Sequence, residues 1–133
     1  QYLVGSQGTV FLGDTPDAEV LDEQKLVSDM YLAAKEALKP GAISGDTYKA
    51  ANKVYRSVKG EDYWRRVGAN MGLTFGPVDM GMTGNHIIEP WTPFILQIVE
   101  VKPALVTCCS TLIVTESGCE ELTPPLLDLK CIS

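Results

Sequence analysis

Apolar residues recur at helical spacing through the first third of the chain. Between 18 and 39, Leu26, Met30, Ala34 and Leu38 fall on one face, flanked by Val27 and Tyr31, which predicts an amphipathic helix. Asp14-Thr15-Pro16-Asp17 is turn and helix-start chemistry, and Lys39-Pro40-Gly41 stops the helix. Ser44 reads as the N-cap of a second helix whose stripe is Tyr48, Ala51, Tyr55 and Val58 and whose end is Lys59-Gly60. Both stripes predict core faces packed on a sheet. Residues 2–12 ahead of the helices are strand-like, with Gly5 and Gly8 interrupting the run. After Gly60, glycines (Gly68, Gly72, Gly76, Gly81, Gly84) separate short β-like pieces. Two strong strands are predicted over 94–102 and 105–115, and Glu116-Ser117-Gly118 is a hairpin turn into a strand over 119–122. The Pro124-Pro125 pair takes the tail out of the sheet, because proline cannot donate to a ladder. The order is strand, two helices, then an antiparallel meander. It predicts an α+β fold, a curved antiparallel sheet with two helices packed on one face, as a single domain over 1–133.

Charge narrows the partners. The chain of 133 residues carries a net charge of −6, which argues against nucleic acid or an anionic membrane, since both need a basic footprint. The longest apolar stretches are broken by Gln97, Glu100, Lys102 and Pro103 and fall well short of the ~20 residues that span a bilayer. No basic region followed by an apolar run opens the chain, and residue 1 is Gln rather than Met. The expectation is a fragment or processed product, in the cytoplasm if anywhere.

Cysteine chemistry is sparse. Cys108, Cys109, Cys119 and Cys131 are too few and too irregular for a disulfide scaffold, and they read as reduced thiols. Cys108 and Cys109 are adjacent on a strand, point to opposite faces and cannot grip one ion together. The only histidine is His86. No ligand set for a metal is evident, and no cofactor is expected.

Several segments, in order, resemble the C-terminal half of the creatinase/aminopeptidase P/prolidase family, whose fold is called pita-bread. Tyr2-x-x-Gly5-x-x-x-Thr9-x-Phe11-x-Gly13 is similar to the family's "GYxxDxxRTFxxG" strand. Leu38-Lys39-Pro40-Gly41, followed by Ser44-Gly45-Asp46, resembles its "RPG-x-T/S-x-x-D" joint between two helices. Gly68-Ala69-Asn70-Met71-Gly72-Leu73-Thr74-Phe75-Gly76-Pro77 is similar to "GHGIGLxxHE". Ile88-Glu89-Pro90, leading to Phe94-Ile95-Leu96-Gln97, resembles "LEPGMVFTIE". Leu112-Ile113-Val114-Thr115-Glu116-Ser117-Gly118-Cys119-Glu120-Glu121-Leu122-Thr123 is set against "VLVTEDGCEVLT".

Members that are metallopeptidases bridge two divalent ions with two Asp, one His and two Glu, and the bridging water becomes the nucleophile because the cations lower its pKa. The resemblance places the second Asp on Gly5, the His on Ala69, the first Glu on Gln97 and the final Glu on Cys109. The first Asp would precede residue 1, and the substrate-contacting His falls on Gly76. These replacements imply that the inherited dinuclear centre is absent. Glu100, the acid nearest Gln97, sits three positions along a strand and so on the opposite face.

Loss of the metal leaves catalysis open, since creatinase in the same family works without one, using His and Glu as acid/base groups. His86 and Glu89 are the His–acid neighbours here; they read either as an acid/base pair or as ordinary loop residues. Cys109 is the thiol in the former pocket, although no cation lowers its pKa. Tyr63, Trp64, Arg65 and Arg66 either line a cleft or pack and solvate, and the second reading is preferred. Two functions are expected. The first is a metal-free, non-peptidase binding or assembly domain, completed by another copy or by an N-terminal half. The alternative is a metal-independent lyase, isomerase or hydrolase acting on a small-molecule ligand through His86, Glu89, Gln97 and Cys109.

Overall fold

In the computed structural model, residues 4–72 and 75–133 are described. Tyr2, Leu3, Leu73 and Thr74, on which parts of the expected first strand and of the glycine-rich resemblance fall, lie outside the described residues. The elements are β1 (Val10–Leu12), α1 (Ala18–Ala37), α2 (Ser44–Lys59), β2 (Gly68–Met71), β3 (Phe75–Asp79), β4 (Pro93–Glu100), β5 (Val106–Val114), β6 (Cys119–Glu121) and β7 (Lys130–Ile132).

Strands β2 to β6 form one five-stranded sheet in the order β3-β2-β4-β5-β6, with every neighbouring pair antiparallel. Both helices cover one face. The two-residue period of the strands decides which side chains meet them. Phe94, Leu96 and Ile98 of β4 and Val106, Cys108 and Leu112 of β5 join Leu26, Val27, Met30, Tyr31 and Ala34 of α1 and Tyr48, Ala51 and Tyr55 of α2 in a single core. Leu96 and Ile98 are fully buried, each contributing about 2 kcal/mol of apolar transfer. Cys108 belongs to this core and Cys109 does not, so the two neighbouring thiols face opposite sides of the sheet.

The structure corrects four details of the sequence reading. Ser44 is the first residue of α2 and Ile43 is the flanking residue, whose N–H donates to Asp46 Oδ2 at 3.3 Å. The Ser44 hydroxyl instead accepts the His86 N–H at 3.3 Å. Val58 is 64% exposed and so does not extend the buried stripe of α2; Gly60 then ends the helix at φ 77°, its N–H donating to Arg56 O at 3.0 Å. The tail leaves the main sheet as expected but returns as β7, paired parallel with β1 from Val10↔Lys130 to Leu12↔Ile132. The strand-like stretch before β1 contributes an isolated bridge, with Gln7 and Cys109 exchanging backbone hydrogen bonds of 3.1 and 3.0 Å. That bridge lays the N-terminal segment along β5.

Candidate functional site

The sheet face turned away from the helices carries the alternate residues of each strand: Ala69 of β2, Ile95 and Gln97 of β4, and Cys109 and Thr111 of β5. Register fixes their neighbours. Ala69 pairs with Ile95, Ile95 with Thr111, and Gln97 with Cys109. Gly5 is pinned above them, its N–H donating to Thr111 Oγ1 at 2.8 Å while its carbonyl accepts from Thr111 Oγ1 at 2.9 Å and from Thr123 Oγ1 at 3.2 Å. The structure therefore brings Gly5, Ala69, Gln97 and Cys109 onto one surface. A Cβ placed on Gly5 would stand 3.9 Å from Cys109 Sγ.

The chemistry of that surface is neutral. Gln97 Nε2 donates to Gln7 Oε1 at 2.5 Å, and Gln97 Oε1 accepts from Arg65 Nη2 at 3.4 Å. Arg65 also stacks over the Trp64 ring, 5.3 Å from its centroid. Cys109 is fully buried, and burial pushes its thiol up to about 11, against a smaller opposing effect of its backbone hydrogen bond with Gln7. It is a protonated, inaccessible thiol near neutral pH and a poor nucleophile.

Divalent ions need deprotonated oxygen, imidazole or thiolate donors. Two ions bridged in the family's manner do not fit this surface. Gly5 offers no side-chain donor, and the end of the Ile95 side chain lies beside it, its Cδ1 2.5 Å from where a Cβ would begin. Ala69 has no donor, the Gln97 amide is engaged on both sides, and Cys109 holds its proton. Among the described residues no group of three or more His, Cys, Asp and Glu side chains is placed to hold a metal ion.

His86 and Glu89 stand elsewhere. Both are exposed and line a recess with Asn70, Thr92 and Phe94. Phe94 and its partner Asn70 belong to the strand positions that alternate with Gln97 and Ala69, on the helix side. The His86 backbone is bonded to α2, with Ser44 N–H donating to His86 O at 2.8 Å. The expected grouping of His86, Glu89, Gln97 and Cys109 thus splits in two, and among the described residues no hydrogen bond joins any two of these four side chains.

Other neighbours went unnoticed in the sequence. Gln7, Ile95 and Thr111 complete the surface, and their only signal is parity: each lies two positions from Gly5, Gln97 or Cys109. Tyr63 packs as expected, 2% exposed, with its hydroxyl donating to Val99 O at 2.7 Å and accepting the Val99 N–H at 3.0 Å. Trp64 is not part of the core: it is 58% exposed and touches Tyr63 and Arg65 at the surface. Glu100 lies on the helix side beside Tyr55, opposite in face to Gln97, as the strand period requires.

No family model and no curated protein matches the chain. Solved structures do. A dipeptidase from Pyrococcus horikoshii OT3 superposes with a TM-score of 0.86 at 23% identity, over 98% of this chain and 38% of that one. X-Pro aminopeptidase from Thermotoga maritima MSB8 gives a TM-score of 0.80 at 20% identity, over 92% of this chain and 36% of that one. The N-terminal domain of the FACT complex subunit SPT16 from chickpea (Cicer arietinum) gives 0.74 at 16% identity, over 88% and 32%. The chain spans a little over a third of the length of the peptidases it matches. At these identities the likeness establishes architecture, and the chain has the pita-bread fold of the dipeptidases, prolidases and X-Pro aminopeptidases.

Proposed function

We propose that this chain is a metal-free form of the pita-bread fold that serves as a binding or assembly domain rather than as a peptidase. The observation that carries the reading is the donor set: Ala69, Gln97 and Cys109 share one sheet face with Gly5 beside them, and none of the four offers a carboxylate or an imidazole. Peptide hydrolysis by a metal-bridged water needs several negative donors to hold the cations. Here the corresponding positions are Gly5, Ala69, the doubly engaged amide of Gln97 and the buried thiol of Cys109.

The assembly half of the reading draws on size and surface. The 133 residues correspond, in this reading, to the C-terminal part of the fold, and a second copy or a separate N-terminal half completes it. The chain spans 38% and 36% of the matched peptidases, so a complete fold of their kind needs further residues beside these. Val10, Leu12 and Ile132 expose apolar side chains on the two short strands β1 and β7, each with an unpaired edge, and such edges invite pairing. The same fold occurs in a subunit of a complex, SPT16.

Hydrolysis of Xaa-Pro dipeptides with added Mn²⁺ or Co²⁺, measured beside native mass, tests both halves. The expected result is no turnover together with a self-associated species. Metal-dependent turnover would overturn the non-peptidase reading, and a strict monomer at high concentration would overturn self-assembly.

A further inference from the structure

A second recess lies at the far end of the helical layer, where α2 ends beside the β4–β5 hairpin. Its walls are Tyr55 and Trp64, its floor is Glu100, and Lys59, Glu61 and Lys102 stand around it. Glu100 is only 6% exposed. One carboxylate oxygen accepts the Val101 N–H at 2.9 Å, and the other, Oε2, has no hydrogen bond of good geometry among the described residues, the Tyr55 hydroxyl being the nearby group that partly serves the carboxylate. A buried carboxylate oxygen without a donor is costly, by an amount comparable to a lost charge-assisted hydrogen bond, so the site has a standing demand for an N–H group.

The surrounding cations do not meet that demand, and Arg65, held over the Trp64 ring at 5.3 Å from its centroid, is turned to Gln97, so an incoming cation shares that ring with it. Lys59 directs its ammonium group to Glu23, itself 7% exposed, and that ion pair leaves Glu23 Oε2 unpartnered as well. Lys102 is exposed and makes no ion pair among the described residues. Glu61 is exposed at the rim and adds a second negative charge. The aromatic walls are ordered by contact: Tyr55 meets Tyr63 edge-on with centroids 5.1 Å apart, and Tyr63 carries Trp64 at 6.1 Å. A flat ring beside a carboxylate recognises a cation on an apolar stem, through the ring quadrupole and a charge-assisted hydrogen bond together. The chain's net charge of −6 favours approach of a basic partner.

We propose that this recess receives a basic side chain of a partner protein, an arginine guanidinium or lysine ammonium, with Glu100 as the anchoring carboxylate and Trp64 as the stacking wall. The partner's nature rests on the binding-domain reading above. The cation preference of the recess does not, and it is measured on the isolated chain. Lys102, which also lines the recess, repels an incoming cation.

The test is a titration of the full chain with N-acetyl-arginine amide, N-acetyl-lysine amide and, as the uncharged control, N-acetyl-norleucine amide, followed by backbone amide NMR shifts. Saturable shifts confined to Tyr55, Trp64 and Glu100–Lys102 are expected for the two basic probes, with dissociation constants on the order of a millimolar, typical of one charge-assisted contact plus stacking. Glu100→Gln should weaken binding by about tenfold and Trp64→Ala by about threefold, while Lys102→Ala tightens it. Trp64 is exposed, so its variant reports even if Glu100→Gln fails to fold. Equal shifts from the norleucine probe, absence of saturation, or a Trp64→Ala variant that binds unchanged would overturn the proposal. Failure of self-association would leave this result standing, and absence of cation binding would leave the metal-free reading standing.

Discussion

Ile95 Cδ1 stands 2.5 Å from the point where a β-carbon on Gly5 would begin. The β4 side chain and the N-terminal segment lie against each other on the sheet face that carries Ala69, Gln97 and Cys109. Gly5→Asp must turn the end of the Ile95 side chain aside and set a carboxylate at a half-buried position, and it should cost about 1 kcal/mol in urea unfolding. Combined with Ile95→Ala, the two costs should be well below additive, because the second change makes room for the first. Strict additivity would mean that the two side chains do not compete.

Alkaline pH should destabilise the fold. Burial pushes the Cys109 thiol up to about 11 and, with its neighbour Cys109 adding to the effect, the Cys108 thiol up to about 12, from the ordinary value of 9.0. Burial likewise raises the Tyr63 hydroxyl to about 12, with the Val99 backbone bond opposing it. A raised folded-state pKa means that the unfolded chain loses its proton first. The stabilisation is therefore complete below about pH 9 and is lost as pH rises towards 11–12. Chemical denaturation between pH 8 and 11 should show a falling midpoint, and a flat profile would contradict these burials.

The same burial predicts selective thiol chemistry. Cys131 is exposed, Cys119 is half-buried, and Cys108 and Cys109 are fully enclosed. A disulfide reagent at pH 8 should modify Cys131 promptly and leave Cys108 and Cys109 untouched until the protein unfolds. Rapid modification of Cys109, located by mass spectrometry, would reopen a nucleophilic role for it.

Tyr63→Phe removes a hydroxyl that both donates to Val99 O and accepts from Val99 N–H. Both backbone groups lose their partner in a buried place, and the loss should be about 2 kcal/mol or more in the unfolding free energy. An unchanged stability would show that water replaces the hydroxyl.

Much of this architecture is legible in the sequence because it depends on local periodicity. Leu26, Met30, Ala34 and Leu38 announce a helix face, and the alternation of Leu96 with Gln97 separates the two sheet faces before any contact is known. The five-stranded sheet and the paired helices follow from those patterns. Val58 misled because spacing gives the side of a helix but not which of its turns are covered. β7 was illegible: three exposed residues paired in parallel with a distant strand carry no hydrophobic signal. The candidate surface was half legible. Its four replaced positions came from resemblance, whereas the approach of Ile95 to Gly5, the link from Gln97 to Gln7 and the reach of Arg65 depend on pairings between remote segments. His86 and Glu89 were singled out by nearness in sequence, and nearness in sequence said nothing about which face of the sheet they would approach.

A surface built from Gly5, Ala69, Gln97 and Cys109 should not hold divalent cations. Calorimetric titration of the chain with Mn²⁺ and with Co²⁺ at neutral pH should give no saturable heat and no rise in thermal stability with either ion. Saturable binding of about two equivalents per chain, with a corresponding stabilisation, would contradict this expectation.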